Sequence, residues 1–129
     1  MAGYAELRAR LENELLAQIE PGRFAFVPVQ RTIAKPAKPT LVLKLESVTR
    51  STIAQGVLVP AFVLTVVSPH EDPAQADPDL DELLDELLDA IQPLRWVAFR
   101  GATKALFQDR FMCYDITLEA LTAIKKASR

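Results

Sequence analysis

Apolar and polar residues alternate with two different periods along this chain, and the switches between them mark its elements. Tyr4, Leu7, Leu11, Leu15 and Ile19, widened by Leu16, recur at helical spacing. Glu6, Arg8, Arg10, Glu12 and Glu14 lie between them. This predicts an amphipathic helix from about Gly3 to Glu20, stopped by Pro21-Gly22. Phe24 to Val29 reads as a short strand, with Pro28 placing it at an edge or a strand end. Leu41 to Val48 alternates leucines against Lys44 and Glu46. Val57 to Val67 is apolar on both faces, as a central strand covered on both sides should be. These two are expected to pair as an antiparallel hairpin around a turn at 49–56.

The sharpest pattern follows the proline-punctuated turn from Ser68 to Ala76. Leu80, Leu83, Leu84, Leu87, Leu88 and Ile91 form one stripe; Asp81, Glu82, Asp85, Glu86 and Asp89 form the opposite face. Asp77 suits the N-cap of this second helix and Pro78 its first turn, with the end near Gln92-Pro93. Arg95 to Phe99 predicts a strand and Gly101 to Asp109 a connection. Phe111 to Leu121 alternates as a last strand before a basic, frayed tail at 123–129. The order is helix, three strands, helix, two strands. It predicts one α+β domain over residues 1–129: a mostly antiparallel five-strand sheet with both amphipathic helices packed on one face, an α+β sandwich.

Length and composition fit that reading. The chain has 129 residues, half of them hydrophobic, enough for one core without covalent staples. No apolar run approaches the ~20 residues of a membrane span. The N-terminus mixes acids and arginines with no apolar signal core, which predicts a product made in the cytoplasm.

Charge adds a further feature. The formal net charge is −2, but Ser51 to Leu94 holds nine of the seventeen acids and no Lys or Arg; the remainder carries fifteen bases against eight acids. Such segregation favours contacts between oppositely charged faces of different molecules or of copies of one molecule. Arg95, Arg100 and Arg110 are candidates to meet the acidic helix of a neighbouring copy. The segment Gln30 to Thr40 is long, basic and proline-rich, and predicts an exposed loop. Its Arg31, Lys35 and Lys38, with Arg50 nearby, are candidate partner contacts.

Candidate chemistry is sparse. Cys113 and His70 are each the sole residue of their type. A lone cysteine in a strand is ordinarily a small core residue. His70 beside Glu71 and Asp72 is the one arrangement that offers an enzyme a base or ligand, without an evident nucleophile. The phosphate-loop, dinucleotide, zinc-protease and nucleophile-elbow motifs are missing. We expect no catalytic residues, cofactor or metal, and no sequence-specific DNA binding, since neither helix interleaves bases with aromatics.

Read in order, the segments resemble the tail terminator (tail completion) proteins of long-tailed bacteriophages, especially those of actinobacterial phages. The likeness rests on the N-terminal helix from Tyr4 to Ile19 and the apolar strand running into Ser68-Pro69. Asp72-Pro73, the acidic leucine helix to Ile91, Trp96, Ala102-Thr103 and Tyr114-Asp115-Ile116 continue it. The resemblance implies an α+β sandwich and a virion structural protein of the tail-neck region, not an enzyme. It implies a homohexameric ring that caps the tail tube, ends its polymerisation and offers the head-docking surface. Partners would be the major tail tube protein and a head-completion or connector protein, with DNA passing through the ring. The acidic helix face would then line the bore or an inter-subunit contact. Another neck protein, of the head-completion or stopper kind, and a small non-viral interaction domain are the alternatives.

Overall fold

A computed structural model describes residues 3–27, 37–50, 57–120 and 124–125. Helix α1 spans Tyr4–Ala17. Its first turn is closed by the Gly3 backbone N–H donating to Glu6 Oε1 at 3.3 Å. It ends earlier than the apolar stripe suggests. The N–H groups of Gln18 and Ile19 bond back to Leu15 and Leu16, three residues earlier, tightening the last turn before Pro21-Gly22. Ile19 nevertheless still packs on the core.

Strands β1 (Ala25–Val27), β2 (Thr40–Arg50) and β3 (Val57–Val67) follow. The β2–β3 hairpin is antiparallel, as its alternation predicts, and β2 runs two residues further than expected, through Thr49 and Arg50. β1 lies parallel to β2, Phe26 opposite Leu41. Helix α2 spans Pro73–Ile91, so the expected start at Asp77 is corrected by one full turn. Asp72 is the N-cap, its carboxylate accepting from the Ala74 N–H at 3.1 Å, and Pro73 occupies the first turn. Pro78 is inside the helix, where it removes a single backbone bond. Ala76 and Leu80 on either side of it are fully buried and hold that turn in place.

The segment after α2 also differs from its sequence reading. Arg95 and Trp96 lie in a turn, and β4 runs unbroken over Val97–Phe107. Gly101 does not open a connection. A register shift between Phe99 and Gly101 absorbs one residue as a bulge, and pairing with β5 (Phe111–Ala120) resumes at once. Gln108 and Asp109, both at positive φ, 54° and 56°, are the central residues of a tight turn closed by the Arg110 N–H on the Phe107 carbonyl at 3.1 Å. Within the expected basic tail, Ile124–Lys125 form the short strand β6 against β3.

The five longer-range strands stand in the order β1-β2-β3-β5-β4, mostly antiparallel with one parallel pair, and two helices complete an α+β fold. The apolar stripes of both helices join the sheet in one cluster. Leu7, Leu11 and Leu15 of α1 and Leu80, Leu83, Leu87 and Ile91 of α2 meet Leu41, Leu43, Phe62, Leu64, Val66, Ile116 and Leu118. Opposite parity on the strands places Val67, Phe111 and Cys113 in a second, smaller cluster. Leu87 is fully buried, while Leu84 sits half-buried at the margin of the core. Leu87→Ala should therefore lower the unfolding free energy by ~2–5 kcal/mol in urea titration. Leu84→Ala should cost less than half as much.

Candidate interaction surfaces

The acidic side of α2 divides into paired and unpaired carboxylates. Near its N-terminal end, Lys104 of β4 bridges Asp77 and Asp81, and the Tyr114 hydroxyl of β5 donates to Asp81 at 3.0 Å. The register explains this convergence, since Lys104 and Tyr114 are cross-strand partners. The Tyr114 hydroxyl and the Lys104 ammonium hold the Asp81 carboxyl below the usual range. The Asp77 carboxylate, with Asp81, raises Lys104. Asp79 accepts from the buried Ser68 hydroxyl at 3.0 Å. At mid-helix, Arg23 donates to both oxygens of Glu86 at 3.1–3.2 Å. Glu82, Asp85 and Asp89 are exposed, with no partner among the described residues.

The candidate basic residues separate in the same way. Arg100 pairs with Glu119 at 2.8 Å and Arg110 with Glu71 at 3.1 Å, both within this chain. Arg95 is exposed in the turn before β4. Lys38 donates to the Gly22 carbonyl at 3.0 Å and so ties the chain entering β2 to the chain leaving α1. Arg50 ends β2, exposed. Arg31 and Lys35 lie outside the described residues.

The remaining titratable groups have structural partners. Glu71 holds Arg110 and Asp72 caps α2, so both carboxylates beside His70 are engaged, and the His70 side chain faces solvent. Cys113 is buried, and burial with the nearby Asp115 charge pushes its thiol up to about 12, which keeps it un-ionised. Asp115 itself accepts from Thr65 at 2.7 Å. Glu14 accepts from the Trp96 indole at 2.7 Å and from Arg10, whose guanidinium stacks over that ring; these bonds lower its carboxyl, Arg10 foremost. Among the described residues, no three His, Cys, Asp or Glu side chains converge as a metal site. No described helix is long and apolar enough to cross a membrane.

One surface was not visible in the sequence. The C-terminal end of α2 and the start of β4 enclose a groove of about 300 Å³ lined by Leu88, Asp89, Ile91, Gln92, Val97 and Phe99. β4 is the outer strand at this side of the sheet, and it exposes Phe99 at 44% and Leu106 at 59%. Only the start of β4 is legible in the sequence, because Gly101 reads as a break until β5 is seen to pair on both sides of it. No family model matches this chain, and no curated protein matches it.

The Asp81 cluster generates a prediction with a definite sign. A carboxyl lowered on folding adds stability above its unfolded pKa of ~3.9 and loses that contribution as pH falls through the folded value. Asp81→Asn should thus melt below the wild type at pH 7. The gap should narrow and then close as pH falls below the ordinary aspartate range and Asp81 protonates in the native state. Thermal melts across pH 2–7 measure it.

Proposed function

We propose that this chain is a virion structural protein that caps a phage tail tube as a ring, probed best as a six-copy assembly. It ends tube polymerisation and presents the surface on which the DNA-filled head docks. The observation that carries this reading, beside the resemblance in segment order, is the open edge of β4. An eleven-residue outer strand that exposes Phe99 and Leu106 beside an apolar groove is a liability in a chain that stays alone. It suits a subunit that acquires neighbours. Its partners are then further copies of itself, the major tail tube protein and a head-completion protein at the tail-neck region of the virion.

The unpaired acids give the reading an electrostatic side. DNA leaving the head must pass the ring without being gripped, and phosphate contacts accumulate with Lys and Arg. Glu82 and Asp85, exposed and with no cation beside them among the described residues, are the groups on α2 suited to repel phosphate. Glu86 is less suited because Arg23 neutralises it.

Phage lacking the gene should produce tails of irregular, extended length that fail to join heads, and virion mass analysis should count six copies. Tails of normal length with unjoined heads would instead indicate a head-completion or stopper protein. With the ring in place, Glu82→Lys combined with Asp85→Lys should leave tail length normal and slow DNA ejection if α2 faces the bore. Fluorescence-monitored ejection in vitro measures the rate.

A further inference from the structure

Among the described residues the sheet has two open edges, and they complement each other. β1 pairs only with Thr40, Leu41 and Val42 of β2, so the outer side of β2 from Leu43 to Arg50 carries no described strand. The other edge is β4. Register relates the two: Leu45 is opposite Phe62, Phe62 opposite Leu118, and Leu118 opposite Phe99. The uncovered part of β2 and the Phe99 end of β4 therefore stand at the same level on opposite edges. Three antiparallel steps separate β2 from β4, so the two run in opposite directions.

A rotation about an axis along the strands preserves both level and direction. It brings the β4 edge of one copy against the uncovered β2 edge of the next, antiparallel and at matching height. Such a contact is heterologous, the kind that closes into a ring when the rotation permits. The chemistry agrees. The end of β2 offers an exposed Val48, 37% accessible, and an exposed Arg50 with no partner among the described residues. The groove offers Leu88, Val97 and Phe99 with the unpaired Asp89 at its margin. Both edges are bulged, between Leu45 and Ser47 and between Phe99 and Gly101, so side chains rather than an unbroken ladder make the contact.

We propose that copies of this chain join head to tail, Val48 of one copy seating in the Leu88–Val97–Phe99 groove of the next with Arg50 against Asp89. The proposal rests on the ring reading and names the surface that closes it. The test uses the full-length chain. Val48→Cys and Phe99→Cys are made separately; the native Cys113 is only 2% exposed and stays in place. Under mild oxidation, disulfide-linked dimers should form when the two variants are mixed and in neither variant alone. A chain carrying both changes should give a ladder of covalent multimers. Arg50→Asp and Asp89→Arg should each weaken association at least tenfold in sedimentation experiments, and the two combined in one chain should restore it. Recovery by the double change excludes misfolding as the cause. Assemblies that form without the cross-link, or a double variant as weak as the singles, overturn this contact and leave the ring reading standing. A wild-type chain that is monomeric both at millimolar concentration and in virions overturns the ring reading and this contact with it.

Discussion

Burial of β3 on both faces and along both edges is the constraint from which the rest of the structure follows. Every residue from Pro60 to Ser68 is buried. Phe62, Leu64 and Val66 point into the main cluster with the stripes of both helices, and Val67 joins the smaller cluster on the other side. A strand so placed must have each backbone group paired, and β2 on one edge with β5 and β6 on the other supply the ladders. Pro60 removes one donor from this central strand. It falls where β3 changes partner, between Leu58 opposite Ile124 and Ala61 opposite Glu119. A proline is tolerated in a central strand only where the ladder is already interrupted. Thr65, the polar residue most deeply set in this run before Ser68, is satisfied by Asp115 directly across the ladder.

Helix α2 is held by two forces of different size. Its buried leucines provide the stabilisation, since each fully buried leucine is worth ~1.5–3 kcal/mol in transfer free energy. The ion pairs of its polar side are exposed and screened by solvent, so they contribute little to stability. Their effect is orientation and charge. Lys104 and Tyr114 at one end and Arg23 farther along fix which acids face the sheet. One Lys104 is shared by Asp77 and Asp81 and Arg23 pairs with Glu86, so these acids are partly compensated, while Glu82, Asp85 and Asp89 have no cation beside them among the described residues. Trp96 ties the opposite side of the molecule together in the same manner, its indole and the stacked Arg10 converging on Glu14 of α1.

The edges of the sheet are where its stability and its proposed assembly meet. Natural sheets blunt open edges with bulges, charges or short strands. Here both edges carry a bulge, and β4 adds Arg100 and Lys104, but each of those is drawn into a pair with an acid of its own chain. The protection is thus partial, and Phe99 and Leu106 remain exposed. An incompletely blunted edge is costly for a monomer and useful to a subunit.

The sequence by itself determined the elements whose patterns are periodic and long. The two leucine stripes, the doubly apolar β3, the β2–β3 hairpin and the acidic face of α2 could all be read from spacing, because a buried face leaves the same periodicity wherever it packs. It did not determine boundaries where two signals compete. Asp72-Pro73 and Asp77-Pro78 are equivalent helix-start signals, and burial of Ala76 and Leu80 selected the first. Gly101 is a break or a bulge depending on whether a strand lies alongside, and β5 made it a bulge. The parallel pairing of β1, anchored by the Ala25 N–H on the Pro39 carbonyl at 2.9 Å, leaves no mark in three residues of sequence. Which acids of α2 remain unpaired was likewise decided by tertiary structure. The partners of the paired acids lie far away along the chain: the β4–β5 register brings Lys104 and Tyr114 to the helix, and the turn after α1 brings Arg23.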